Sequence, residues 1–243
     1  MKKTSGPSKT SNEKVTVTVV IPTINEEGGI GKTIEQVPRP EDMDIEILVV
    51  DTDSTDKTKK VARSKGATVV NESRRGYGRA YKTGFEKAKG DIIATLDADC
   101  TYPAEMIPEL VRTLQNEGLD FITTNRFAMM KKGAMSRKHK FGNWVLNVTT
   151  RLLFGVKIKD SQSGMWAFRR SILEKLELVS DGMPMSEELK IEAYKKGFEC
   201  KEVPIEYRPR VGEVKLSSWK DGWKNFKFLW SKRFGNAKSK AKA

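Results

Sequence analysis

The N-terminal half of the chain repeats one pattern: a short run of β-branched and aliphatic residues, a polar cluster, then a stretch with helical spacing. Val15–Ile21 (VTVTVVI) predicts a strand that stops at Pro22. The turn Thr23-Ile24-Asn25-Glu26-Glu27 leads into a helix through about Gln36, which Pro38 and Pro40 end. Ile45–Val50 predicts a second strand. It breaks at Asp51-Thr52-Asp53-Ser54-Thr55-Asp56, which supplies N-caps for a helix over Lys57–Lys65. Ala67–Val70 predicts a third strand, followed by the turn Arg74-Arg75-Gly76-Tyr77-Gly78 and a helix over Arg79–Ala88. Asp91–Leu96 predicts a fourth, ending at Asp97-Ala98-Asp99. Strands alternating with helices build βαβ units, so the fold class is α/β with a mostly parallel central sheet flanked by helices. Ligands of such sheets bind beyond the carboxyl ends of the strands, where the four polar clusters converge.

Beyond Asp99 the pattern loosens. Helices are expected over Ala104–Gln115, Asn143–Phe154 and Glu187–Lys196, and strands at Asp120–Thr124, Trp166–Arg169 and Lys201–Tyr207, the last an edge strand because it carries Pro204. Met129–Lys140 reads as a mobile basic loop. Cys100 and Cys200 are the two cysteines, too few for a disulfide scaffold or a cysteine zinc site, and both read as buried core residues. No apolar window is long enough for a transmembrane helix, and the basic N-terminus lacks the apolar core of a signal peptide.

Two carboxylates two residues apart at a strand end, Asp97 and Asp99, can hold Mg²⁺ or Mn²⁺, which prefer hard oxygen ligands. Strand-end aspartates also make ordinary turns, and the buried strand before this pair favours the cation. Asp51 reads as a nucleotide contact; Asp53 stays open between that role and helix capping. Gly76-Tyr77-Gly78 lacks the third glycine of a dinucleotide fingerprint, since Tyr81 stands there. His139, the one histidine, lies among cations and no nucleophile elbow accompanies it.

The net charge of +13 is uneven: residues 1–14 carry +3 and residues 215–243 carry +8, leaving +2 for the 200 residues between. The expected organisation is a disordered basic tail over 1–14, a catalytic domain over 15–217, an amphipathic helix over 218–234 and a second disordered tail over 235–243. In that helix Trp219, Trp223, Phe226, Trp230 and Phe234 form one stripe, with Lys220, Lys224, Lys227, Ser231 and Lys232 beside or opposite it. Such a helix either packs on its own domain or lies in a membrane interface, where each cation near an anionic surface adds about 1 kcal/mol. Asn143–Phe154 is a second candidate for that surface.

The order Pro22-Thr23-Ile24-Asn25-Glu26, Val49-Val50-Asp51-Thr52-Asp53-Ser54-Thr55-Asp56, Gly76-Tyr77-Gly78 and Asp97-Ala98-Asp99 resembles the family 2 glycosyltransferases of Rossmann-like GT-A fold. Asp160-Ser161-Gln162-Ser163-Gly164-Met165, Phe168-Arg169-Arg170 and Arg210–Ser217 are similar to the polyprenyl-phosphate hexosyltransferases, among them dolichyl-phosphate mannose and glucose synthases. The wording around Gln162 looks most like the archaeal enzymes that begin N-glycan assembly. The resemblance implies that Pro22, Thr23, Asn25, Glu26, Asp51, Asp53, Gly76 and Asp97 meet the donor, and that Asp97 and Asp99 are catalytic. It also implies a divalent cation, Mg²⁺ or Mn²⁺, at Asp99, Asp97 and Thr101. Arg126, Arg137, Ser163, Arg210 and Lys215 would take the diphosphate and the lipid phosphate. Two positions depart from the family pattern: Thr101 stands where many relatives carry a glutamine ligand, and Ile24 where many have an aromatic residue.

The expected reaction is inverting transfer of one hexose from UDP-GlcNAc, UDP-glucose or GDP-mannose to dolichyl or polyprenyl phosphate. The expected place is the cytoplasmic face of the cell membrane, as a peripheral protein on an anionic surface. A phosphate monoester is already ionised at neutral pH, with a second pKa of about 6, so no general base is needed. A sugar or protein acceptor is the alternative and would need one, from Glu187 or Glu188. A nucleic-acid-binding module is the remote alternative; the near-neutral body and the aromatic stripe argue against it.

Overall fold

A computed structural model describes residues 14–212 and 218–235, the side chains of 218–221 excepted. Lys215, the side chain of Trp219 and nearly all of both expected tails therefore lie outside the described residues. The strands are β1 (Val15–Thr23), β2 (Met43–Asp51), β3 (Thr68–Asn71), β4 (Ile92–Thr95), β5 (Phe121–Met130), β6 (Trp166–Arg169) and β7 (Cys200–Tyr207). They form one sheet in the order β3-β2-β1-β4-β6-β5-β7. All neighbours pair in parallel except β6, which is antiparallel to both β4 and β5. The helices are α1 (Ile30–Glu35), α2 (Thr58–Ser64), α3 (Tyr77–Lys87), α4 (Ile107–Asn116), α5 (Arg137–Phe154), α6 (Met185–Lys195) and α7 (Ser218–Phe234).

Side chains alternate across a strand, and here both faces are covered, so the strand sequences read as continuous apolar runs. Val17, Val19 and Ile21 face one layer, with Ile30 and Ile34 of α1 and Leu110, Val111 and Leu114 of α4. Val20, Leu48 and Val50 face the other, with Ala80, Tyr81 and Phe85 of α3 and Met185 and Leu189 of α6. A third, small cluster joins Leu146 of α5, Ile191 of α6 and Leu229 of α7.

Three sequence expectations are corrected. Strand β1 runs through Pro22 to Thr23: β4 pairs with β1 only as far as Val20 opposite Thr95, so the missing proline N–H faces a side where the neighbouring strand has already ended. The basic segment over Met129–Lys140 is not one loop. Strand β5 reaches Met130, and α5 begins at Arg137 because the Ser136 hydroxyl accepts the His139 N–H as an N-cap. Cys200 is half-buried, whereas Cys100 is buried.

Candidate active site

The carboxyl ends of β1, β2 and β4 adjoin. Strand β4 ends at Thr95, so Asp97 and Asp99 lie in a turn and not on an extended strand; Cys100 adopts φ 62° as the chain reverses. Asp99 is buried and fully engaged. One carboxylate oxygen accepts the Thr101 N–H at 3.1 Å and its hydroxyl at 2.6 Å; the other lies 3.0 Å from a guanidinium nitrogen of Arg210. The second terminal nitrogen of Arg210 donates to Glu26 at 2.5 Å. Arg210 thus spans two carboxylates of the N-terminal half from a position near the other end of the chain, and its Nε is buried without a partner among the described residues. The segment carrying it is seated by the Arg208 N–H on the Thr101 carbonyl and the Val211 N–H on the Asp99 carbonyl.

Asp97 is partly exposed, and the Tyr77 hydroxyl donates to it at 3.4 Å. Burial of its carboxyl, then the Asp99 carboxylate beside it, raise its pKa to about 7, against the opposing charges of Arg210 and Arg126. Two carboxylates that cannot comfortably ionise together are a donor set suited to a cation, and Arg210 already meets part of that demand. Among the described residues no cluster of three or more acidic, histidine or cysteine side chains is placed to bind a metal, so a cation here would need donors from a ligand or water. Thr101, expected as a ligand, does not extend the donor set: the residue is 2% exposed and its hydroxyl is committed to Asp99.

The expected donor residues form the adjoining wall, mostly by bonding each other. The Asp51 carboxylate accepts the Thr23 hydroxyl at 3.0 Å and the Ser54 N–H at 2.9 Å, and is wholly buried. The Asn25 side-chain oxygen accepts the Thr55 N–H, and the Asn25 N–H donates to the Ser54 hydroxyl. Asn25 (φ 50°) and Asp53 (φ 56°) are both left-handed; Asp53 is exposed and accepts the Asn71 amide. Pro22 is half-buried beside them. Gly76 (φ 150°) is required by the protein itself, since a Cβ there would stand 2.2 Å from the Asp181 carbonyl.

Three assignments change. Arg126 is 7% exposed and forks onto Asp160 with two bonds of 2.8 Å, its cation 5.3 Å above the Tyr207 ring. Burial pushes Asp160 up, but Arg126 outweighs it and keeps the carboxyl below its ordinary value. Arg126 is therefore a support beneath the site and not an open phosphate ligand. Ser163 is wholly buried: its hydroxyl meets that of Thr124 at 2.6 Å, and its carbonyl accepts from Trp166, Ser186 and Lys190. Glu187 and Glu188, the base candidates, are wholly buried. Glu187 accepts the Gln162 amide at 2.6 Å and burial holds its carboxyl well above the usual range; Glu188 accepts the Ser180 N–H and pairs with Lys232. Arg137 is exposed in the first turn of α5.

Several residues were missed. Lys190, buried in α6, donates to the carbonyls of Ser161 and Ser163 and so fixes the 160–164 loop; burial lowers its pKa to about 7. Tyr102 accepts the Gly164 N–H, and Glu72 at the end of β3 gathers Arg74, Arg79 and Thr83. Glu72 follows the strand-end rule that marked Asp51 and Asp97, and that rule would have found it.

Helix α7 packs one side on the domain and leaves most of its aromatic stripe exposed. Asn225 and Leu229 are buried against the domain, and Lys232 pairs with Glu188 and Glu192 at 3.0 and 2.8 Å. Phe226 is half-buried on the third cluster, while Trp223, Trp230 and Phe234 are 59%, 55% and 61% exposed. Phe141, Trp144 and Leu152 of α5 are exposed as well. Among the described residues no helix is long and apolar enough to cross a membrane.

A mostly parallel seven-stranded sheet with an acidic pair beyond its central strand is the GT-A architecture of glycosyltransferases. Its backbone superposes on glucosyl-3-phosphoglycerate synthase from Mycobacterium tuberculosis, solved with Mn²⁺, UDP and glucosyl-3-phosphoglycerate. The TM-score is 0.76 at 24% identity, over 90% of this chain and 80% of that one. The chain belongs to glycosyl transferase family 2, which it matches over residues 18–177, and it is a glycosyltransferase. A low-salt glycan biosynthesis hexosyltransferase of Haloferax volcanii is 40% identical over 219 residues, 88% of this chain and 53% of that protein. The chain thus spans about half of that relative. A dolichyl-phosphate hexose transferase of the same organism is 35% identical over 206 residues, 84% of this chain and 88% of that one.

Proposed function

We propose that the protein transfers a single hexose, with inversion, from a nucleotide diphosphate sugar to dolichyl or another polyprenyl phosphate, for glycan assembly. The names of the Haloferax relatives support a hexose and a lipid phosphate. The observation that carries the acceptor class is the state of Glu187 and Glu188. Both are wholly buried, Glu187 with one oxygen on the Gln162 amide and Glu188 with one on the Ser180 N–H, so neither is open to the hydroxyl of a sugar or protein acceptor. A phosphate nucleophile needs none.

Asp97 and Asp99 would hold a divalent cation, whose chemistry is to neutralise the charge of the departing diphosphate. The fold neighbour solved with Mn²⁺ and UDP supports the use of a divalent cation. Arg210, drawn between Glu26 and Asp99, is poised to turn to phosphate oxygens, and Arg137 and Lys215 would supply further cations. Asp51, Asn25 and Thr23 shape the nucleotide wall by rigidifying its turns. Residues 15–217 are the proposed catalytic unit. Helix α7 is the proposed interfacial element, placing the enzyme on the cytoplasmic face of the membrane as a peripheral protein.

The test incubates the protein with dolichyl phosphate, Mg²⁺ or Mn²⁺ and each labelled donor in turn, UDP-GlcNAc, UDP-glucose and GDP-mannose, and then extracts the lipid phase. Label in that phase with one donor supports the reading. Label transferred only to a free sugar or peptide overturns it.

A further inference from the structure

The C-terminal ends of α5, α6 and α7 border an open cavity of about 390 Å³ lined by Leu152, Leu153, Phe154, Gly155, Lys195 and Arg233. No acid lines it. Neighbouring cations in the sequence are neutralised internally: Lys196 pairs with Glu177 at 3.1 Å, and Lys232 pairs with Glu188 and Glu192. Lys195 and Arg233 have no carboxylate partner among the described residues. Each instead stands over an aromatic ring, Lys195 at 6.0 Å from Phe154 and Arg233 at 5.6 Å from Phe234. The apolar side of the lining is open to solvent at Leu152, which is 80% exposed. Two unpaired cations over an apolar floor fit a ligand that is anionic at one point and apolar beside it.

We infer that this cavity binds the headgroup phosphate of an anionic phospholipid, with Lys195 and Arg233 on the phosphate and Leu152, Leu153 and Phe154 against the first methylenes of its chains. The inference rests on the proposal that this face meets a bilayer. It adds a lipid site distinct from the acidic pair at the strand ends. The helix C-termini oppose an anion, so the two cations must first offset about half a charge from each helix end. Capping those ends is the competing role for the same pair.

The experiment uses the full chain and short-chain phosphatidylglycerol below its micelle concentration, followed by calorimetry and tryptophan fluorescence. Short-chain phosphatidylcholine and inorganic phosphate are the comparisons. Saturable binding of phosphatidylglycerol is expected, weakened at least about tenfold in the double variant Lys195→Gln, Arg233→Gln. Leu152→Glu should weaken it similarly. That substitution keeps both cations and sits at an already exposed position, so it serves even where the double variant fails to fold. Unchanged lipid binding in folded variants overturns the site, and a lowered melting temperature with unchanged binding assigns the cations to helix capping alone. Inorganic phosphate binding as tightly as the lipid also overturns it. Sedimentation with phosphatidylcholine vesicles, with and without phosphatidylglycerol, separates the two proposals. Protein that ignores both vesicles yet binds the short-chain lipid refutes bilayer contact and keeps the cavity. Protein that sediments equally whatever stands at 152, 195 and 233 keeps bilayer contact and refutes the cavity.

Discussion

Asp99 is held by three donors from two segments, the N–H and hydroxyl of Thr101 and the guanidinium of Arg210, so its direction is set before any ligand arrives. Asp99→Asn keeps the shape and removes the charge; transfer to lipid phosphate should fall below detection while the circular dichroism spectrum stays unchanged. Thr101→Val removes the orienting hydroxyl alone. A loss of about 10–100-fold in Mn²⁺ affinity is expected, read by the free-ion signal in electron paramagnetic resonance. Asp97 makes a pH-dependent prediction. Its carboxyl ionises near 3.8 in an unfolded chain and at about 7 in the fold, so between these values the folded state keeps a proton the unfolded state has lost. Stability of the metal-free protein should therefore fall as pH rises through that window. Denaturant titrations in chelator will show the slope, and Asp97→Asn should flatten it.

At the scale of elements, α7 is docked by polar bonds as much as by packing: Lys232 enters a site where Glu188 is wholly buried, and the Asn225 amide donates to Gln162 at 2.7 Å. Lys232→Met leaves Glu188 and Glu192 without their cation. Undocking of α7 should become easier by about 3 kcal/mol, since removing one partner strands the buried charge of the other. Hydrogen exchange should rise in α7 and hold steady in β1 and β4. The same element shows how far periodicity reaches. Spacing marked the stripe of Trp223, Trp230 and Phe234, which is exposed, but Asn225 and Lys232 lie on the buried side, where polar side chains disguise a packing face.

Across the whole molecule, the exposed aromatics of α5 and α7 form the surface proposed to meet the bilayer. Replacing Trp223, Trp230 and Phe234 together by serine should cut sedimentation with anionic vesicles at least about tenfold. The melting temperature should hardly change, because all three are exposed. The parallel part of the sheet was legible because strands buried on both faces must be apolar along their whole length, and the carboxylates that follow β2 and β4 interrupt that run. The antiparallel insertion of β6 was not legible, since its four residues look alike in either direction. Partners were less legible still. Arg126 and Ser163 looked available for phosphate until Asp160 and Thr124, 34 and 39 positions away, claimed them. Arg210 meets Glu26 across 184 positions. Hydrophobic period records which face is buried, and it carries that information locally. The identity of a hydrogen-bond partner depends on which distant segments close packing sets side by side, and no local pattern contains it.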